Sequence, residues 1–310
     1  MWEDSWADTA ELPWFAPKEG QGSRSTSSLV HVDLAALSHQ GKVRPNNEDH
    51  FLVSCFDRTM RTLLTNLPAG DVPERYSETV YLMLVADGMG GAAAGEVASR
   101  TAINTLVDLV LQAPYWIMRL DEQFAMKVLK RMDQRFQQVR ETLIERAHVD
   151  PTLSGMGTTM TLAFSLGAEL VTAHVGDSRA YLFRQGLLQR LTRDQTMAQS
   201  LADDGAIRPE EVASHPMRHV LTGAITTRGR RAATEFHQLH LVDGDQVLLC
   251  TDGLTERVTD TAIAEVLKIP GPAADSCRSL IDLALEGGGK DNVTVVLGRY
   301  HIPERLIAGA

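Results

Sequence analysis

Asp87-Gly88-Met89-Gly90-Gly91 stands directly after the apolar run Val80–Ala86. A single Asp-Gly pair marks a turn. Here the arrangement recurs: Val171–Val175 leads into Gly176-Asp177, and Gln246–Thr251 leads into Asp252-Gly253. A fourth carboxylate, Asp291-Asn292, follows Gly287–Gly289 and opens the apolar run Val293–Leu297. The apolar runs read as strands, so the pattern sets four aspartates at strand edges, three of them beside glycine. Carboxylates and bare backbone carbonyls of this kind suit hard divalent cations such as Mg²⁺ or Mn²⁺. Several carboxylates sharing one pocket repel one another and make sense around cations. The pattern therefore predicts a polynuclear metal site, with Asp87 as the bridging carboxylate.

Outward from these turns, strands are expected at Val32–Ser38, Phe51–Ser54, Val80–Ala86, Thr158–Phe164, Leu170–His174, Ala180–Phe183, Leu187–Leu191, Ala233–Leu239, Gln246–Cys250 and Val293–Leu297. Helices are expected at Ala92–Gln112, Arg119–Ala147, Gln195–Ala202, Asp260–Leu267 and Ala274–Glu286. In the second of these, Leu120, Phe124, Val128, Met132, Phe136, Val139 and Leu143 place one apolar stripe on one face, the mark of a helix packed on a sheet. Tight links such as Arg184-Gln185-Gly186 point to antiparallel pairing. Helices inserted in pairs argue against a doubly wound parallel sheet. The fold class is α+β, antiparallel sheets covered by helices. Asp57–Glu78 reads either as a long hairpin connection or as a substrate-touching segment.

The 310 residues carry a formal charge of −10, which excludes the basic face of a nucleic-acid binder. Three scattered cysteines, Cys55, Cys250 and Cys277, build neither a disulfide framework nor a zinc cage and fit a reducing cytoplasm. No run approaches the roughly 20 apolar residues of a membrane span. Residues 1–30 differ from the rest: Trp2, Trp6 and Trp14 lie among Glu3, Asp4, Asp8 and Glu11, followed by the polar stretch Lys18–Ser28. This is either a disordered tail or a peptide whose tryptophans dock on a groove, here or in a partner.

Gly41–Asp49 supplies a second element. Arg44 offers a rigid fork of donors for two phosphate oxygens, while Glu48 and Asp49 can accept hydrogen bonds from metal-bound water. Together with the aspartates, this makes a phosphate-cleaving site.

These residues carry a resemblance. Arg44-Pro45-Asn46-Asn47-Glu48-Asp49, Asp87–Gly91, Gly95-Glu96, Gly157-Thr158-Thr159, Gly176–Arg179, Thr251–Leu254 and Asp291–Thr294 resemble, in order, the motifs of bacterial PPM (protein phosphatase 2C-type) serine/threonine phosphatases. The resemblance implies a β-sandwich of two antiparallel sheets flanked by pairs of helices, occupying residues 31–302 between the extension and a tail at 303–310. It implies hydrolysis of phosphoserine and phosphothreonine by a metal-bound hydroxide, with two Mg²⁺ or Mn²⁺ ions and a third, weaker site. Asp87 resembles the carboxylate bridging the first two metals, and the Gly88 carbonyl a ligand of the second. Asp252 and Asp291 resemble the remaining ligands of the first. Asp177 resembles the aspartate that, with Asp252, holds the third. Arg44 resembles the phosphate-binding arginine, and Glu48 and Asp49 the residues that orient metal waters. Phosphorylated proteins and a cognate serine/threonine kinase are the implied partners of a cytoplasmic monomer.

The chain also departs from the family pattern. Met89 stands where many eukaryotic members carry a histidine assigned as general acid, and Ala92 where bacterial members often carry histidine. Gln195-Thr196 replaces a common His-Ser. Gly223 and Thr226 end a flap at 203–226 where members often carry arginine and glycine. Two alternatives stay open: a catalytically silent module that keeps the fold, and a hydrolase of small phosphate esters.

Overall fold

The computed structural model describes residues 26–90, 94–112 and 122–303. The tryptophan-rich extension through residue 25, Ala92, the start of the second long helix and residues 304–310 lie outside the described residues.

Two antiparallel sheets face each other. The first is five-stranded and orders its strands β1 (His31–His39), β12 (Val293–His301), β11 (Gln246–Cys250), β7 (Arg179–Arg184) and β8 (Leu187–Arg190). The second runs β10 (Glu235–His240), β6 (Glu169–Val175), β5 (Met160–Leu166) and β3 (Arg75–Met89), with β2 (Asp49–Arg61) on the other edge of β3. The end of β3 is extended by β4 (Gly157–Thr158) and β9 (Ile225–Thr226). Helices α1 (Ala94–Leu111) and α2 (Glu122–Val149) accompany the second sheet, and α5 (Asp260–Lys268) and α6 (Ala273–Glu286) the first. Of two short helices, α3 (Met197–Asp203) and α4 (Asp252–Thr255), the second opens on a residue of the site described below.

Strand periodicity explains the layering, because successive side chains alternate between faces. In β3, Leu82, Leu84 and Ala86 pack with the helices, whereas Met83 and Val85 point into the sandwich. In β12, Val293, Val295 and Leu297 meet α5 and α6, whereas Val296 and Tyr300 join the sandwich core. The expected stripe of α2 is buried where described, at Met132, Phe136, Val139 and Leu143. Fully buried leucines such as Leu84 and Leu162 each contribute about 1.5–3 kcal/mol relative to exposure.

Two expectations need correction. The Thr158–Phe164 strand is interrupted at Thr159, which separates β4 from β5. Asp57–Glu78 is a hairpin connection, but shorter than expected because both its ends are strand: residues 62–74 join β2 and β3, which stay paired as far as Arg61↔Arg75. That pair is twelve positions from Asp49↔Asp87, or about 40 Å of strand, so the hairpin leads away from the acidic turns. Cys55, Cys250 and Cys277 are free thiols. Among the described residues no helix is long and apolar enough to cross a membrane.

Candidate active site

The acidic turns converge because the strands that deliver them end on one side of the sandwich. Asp87 lies near the end of β3, Asp177 just beyond β6, Asp252 at the start of α4 directly after β11, and Asp291 just before β12. With Arg44, Glu48 and Gly88 they line one cavity of about 940 Å³. Of the residues expected here from sequence, Asp49 is the one withheld from the lining. It is 4% exposed and opposes Asp87 across the β2–β3 ladder. Its Oδ2 accepts hydrogen bonds from the hydroxyls of Thr251 and Thr294, both at 2.8 Å, while its Oδ1 is buried without a partner.

Backbone placement around Asp87 is tight. Its N–H donates to Thr159 Oγ1 and its carbonyl accepts from the Thr159 N–H, so the break between β4 and β5 fixes both sides of this peptide. Gly88 follows for want of room: a Cβ there would lie 2.1 Å from the Gly95 carbonyl oxygen and 2.9 Å from that of Glu48.

Electrostatics record the crowding. Burial pushes the Asp87 carboxyl well above the usual carboxylate range, and repulsion from Asp49, Asp252, Asp177 and Asp291 adds to it. Asp252 is raised in the same way, by burial and then by Asp177, Glu256, Asp291 and Asp49. Burial raises Asp49 to about 7 against the lowering effect of its two threonine hydroxyls. Asp177 also reaches about 7, through burial and then Asp194. Glu48 is raised by burial, with Arg44 opposing.

Arg44 Nη2 pairs with Asp291 Oδ2 at 2.6 Å, and the Asp291 Oδ1 accepts from the Asn292 N–H. Asn292 is a hub that the sequence reading passed over. Its Nδ2 donates to the carbonyls of Gln40 and Asn46, and its Oδ1 accepts from the Glu48 N–H at 2.8 Å. One amide thus ties the Arg44 loop to Asp291. An Asn directly after an acidic turn and before an apolar run was the available signal.

His219 and Glu256 were also missed. His219 Nδ1 lies 2.7 Å from Glu256 Oε1. Among the described residues, His219, Asp252 and Glu256 are the one triple of His, Cys, Asp or Glu whose ligand atoms come within 4.8 Å of one another. His219 is 33 residues from Asp252 in sequence, so the i, i+4 spacing of Asp252 and Glu256 alone does not expose the triple. His174, by contrast, is a core histidine: fully buried, bonded to Thr161 Oγ1 and to the Arg193 carbonyl.

A group of partly buried carboxylates that mutually raise one another, backed by buried Asp49 with its unpartnered oxygen, is an all-oxygen donor set suited to hard divalent cations. The residues present fit a Mg²⁺ or Mn²⁺ pair.

Comparison with known proteins agrees with this chemistry. The family model for protein phosphatase 2C matches residues 67–279. The chain belongs to the protein phosphatase 2C family. The serine/threonine protein phosphatase PstP of Mycobacterium tuberculosis is 37% identical over 281 residues, covering 89% of this chain. The chain spans only about half of that relative's length, 47%. The catalytic domain of PstP in complex with two manganese ions superposes with a TM-score of 0.67 at 36% identity, covering 88% of this chain and 99% of that one. A Streptococcus agalactiae serine/threonine phosphatase gives a TM-score of 0.71 at 28% identity, covering 88% and 100%. The expected fold class, a two-sheet sandwich flanked by helix pairs, holds.

For a phosphatase 2C member, the departures at the flap now have a steric account. The Gln195 carbonyl accepts from the Thr222 and Gly223 N–H groups, and its side-chain Oε1 accepts from the Gly176 N–H. A Cβ at Gly223 would come 1.8 Å from that Oε1, so Gln195 and Gly223 go together. Thr196 caps α3 by accepting from the Gln199 N–H. Met89 lines the cavity, and its thioether has no proton to give.

Proposed function

We propose that this chain is a metal-dependent protein serine/threonine phosphatase, acting on phosphoserine and phosphothreonine in proteins and opposing a cognate serine/threonine kinase in the cytoplasm, as a monomer. Residues 31–302 form the phosphatase domain, with a flap at 203–226, an extension at 1–30 and a tail at 303–310. The observation that carries the reading is the convergence of Asp87, Asp177, Asp252, Asp291 and Arg44 on one cavity. The manganese-bound relative supports it.

On this reading Asp87, the Gly88 carbonyl, Asp252 and Asp291 hold the Mg²⁺ or Mn²⁺ pair, and Asp177 with Asp252 holds a third, weaker ion. The bound cations supply an activated water and positive charge against the phosphoryl oxygens. Arg44 binds the phosphate, its fork meeting two oxygens at once. Its half-exposed guanidinium pairs with Asp291 Oδ2, an oxygen that a bound cation would share or take over, which would leave the fork free to meet phosphate. Glu48 accepts hydrogen bonds at the cavity wall, and Asp49 holds Thr251 and Thr294 beneath it. Met89 cannot protonate the leaving hydroxyl, so that proton comes from water or another group.

A competition assay tests the assignment. A phosphothreonine peptide and p-nitrophenyl phosphate are supplied together with Mn²⁺. Peptide turnover, with the peptide suppressing ester hydrolysis, supports a protein phosphatase. A peptide that is neither cleaved nor inhibitory assigns the site to small phosphate esters.

A further inference from the structure

The cavity lining carries a second population of charge. Beside six carboxylates it presents five cations: Arg44, Arg228, Arg230, Arg257 and Lys290. Arg44 is engaged by Asp291 and Arg257 by Glu256. Arg228, Arg230 and Lys290 make no ion pair with a carboxylate among the described residues, and all three are exposed. In a chain of net charge −10, three uncommitted cations around one opening need an explanation.

The segment bearing the arginines is built to present them. It follows β9, which pairs with β4 and so with the Gly88–Met89 end of β3. Arg140 Nη2 donates to the Gly229 carbonyl at 3.0 Å, and Arg231 turns away to pair with Asp133 on α2. Those two anchors hold Gly229 and Arg231 against α2. Arg228 reaches the cavity over Gly155, its Nη2 donating to Ser154 Oγ at 2.8 Å, so its guanidinium is positioned without being neutralised. Lys290 joins the lining from a separate chain segment, directly beside Asp291. The floor carboxylates are the donor set assigned to cations. Once these are matched, the rim cations face whatever flanks the phosphorylated side chain.

We propose that Arg228 and Arg230, with Lys290 on the same cavity lining, are specificity residues that select phosphopeptides carrying an anionic side chain next to the phosphorylated residue, either a carboxylate or a second phosphate. This rests on the phosphatase reading and deepens it. The contacts lie at a solvent-exposed rim, so they act through encounter and KM, fade with salt and leave the chemical step alone.

The test compares kcat/KM on four phosphothreonine peptides that differ only at the flanking positions: neutral, Asp/Glu, a second phosphothreonine, and Lys. The protein variants are wild type, Arg228→Gln/Arg230→Gln, Arg228→Lys/Arg230→Lys, and Arg61→Gln/Arg75→Gln at the far end of the β2–β3 hairpin. Wild type is expected to favour the anionic peptides over the neutral one by about tenfold at low salt, carried in KM and shrinking at high salt. The glutamine pair at the rim flattens that ratio towards one while p-nitrophenyl phosphate turnover holds. The lysine pair and the distant glutamine pair retain the preference. Comparing the Asp/Glu and doubly phosphorylated arms identifies which anion the rim reads. Equal kcat/KM for neutral and anionic peptides in wild type, or an unchanged preference in the rim glutamine pair, overturns the proposal while leaving the phosphatase reading intact. Failure to cleave any peptide, with metal bound, overturns both.

Discussion

Asn292→Ala removes one side chain that holds two halves of the site together. Asn292 is 6% exposed, and its amide makes three hydrogen bonds, to the Gln40 carbonyl, the Asn46 carbonyl and the Glu48 N–H. At about 0.5–1.5 kcal/mol net for each bond, the truncation costs about 2–4 kcal/mol, since small residues leave the partner groups poorly satisfied. The loss falls on the loop carrying Arg44, so phosphate binding suffers as well as folding. A displacement of about 1 Å in a positioning group can reduce turnover efficiency by about 10²-fold. Asn292→Asp is expected to be worse than its size suggests, because both donors disappear and a carboxylate faces two carbonyls beside Asp291. The assay is urea denaturation of metal-free protein, read as a shift of midpoint at constant slope, together with KM for a small phosphate ester in Mn²⁺. Wild-type stability within about 0.5 kcal/mol, with KM unchanged, would refute the claim that this amide organises the site.

Three further predictions follow from packing and charge. Gly88→Ala drives a methyl group into the Gly95 carbonyl, 2.1 Å from the ideal Cβ, and is expected to abolish activity and lower the thermal midpoint; a well-folded, active Gly88→Ala protein would contradict the steric reading. Gly223→Ala presses on Gln195 Oε1 and is expected to destabilise by about 1–3 kcal/mol, with much of the loss relieved in the Gln195→Ala background; strict additivity of the two substitutions in denaturant would remove the coupling. The third concerns pH. Asp49 and Asp177 have folded values raised from 3.8 to about 7, and Asp87 and Asp252 are raised as well. The folded metal-free protein therefore keeps protons that the unfolded chain releases. That contribution is fully present below the unfolded value and is lost as pH rises through about 7. Cations replace those protons, so the thermal-midpoint gain from Mn²⁺ should grow between about pH 5.5 and about pH 8. An equal gain at both ends would count against it.

Sequence and structure part company at identifiable places. Asp87, Asp177, Asp252 and Asp291 were legible because each follows or opens an apolar run, and strand ends in one sandwich share a side. The outer halves of β2 and β3 were not, because Asp57–Arg61 is exposed on both faces and shows no alternation. Asp252 was read as a turn after a strand, whereas it opens the short helix α4. The burial of Asp49 depends on hydroxyls from Thr251 and Thr294, more than two hundred residues away, and adjacency to Glu48 gave no hint of it. His219 and Glu256 meet only because the flap folds back over α4. Gln195 and Gly223 are 28 positions apart and are linked only by contact in the fold, where a Cβ at 223 would meet Gln195 Oε1.

The most direct measurement is phosphate release from a phosphothreonine peptide with Mn²⁺, with Mg²⁺ and with excess chelator, comparing wild type with Asp252→Asn. The account predicts turnover with either cation, none with chelator, and a loss of about 10²-fold or more in Asp252→Asn, as expected when a ligand of the catalytic cation is removed. Turnover that survives chelation, or an Asp252→Asn protein as active as wild type, would contradict it.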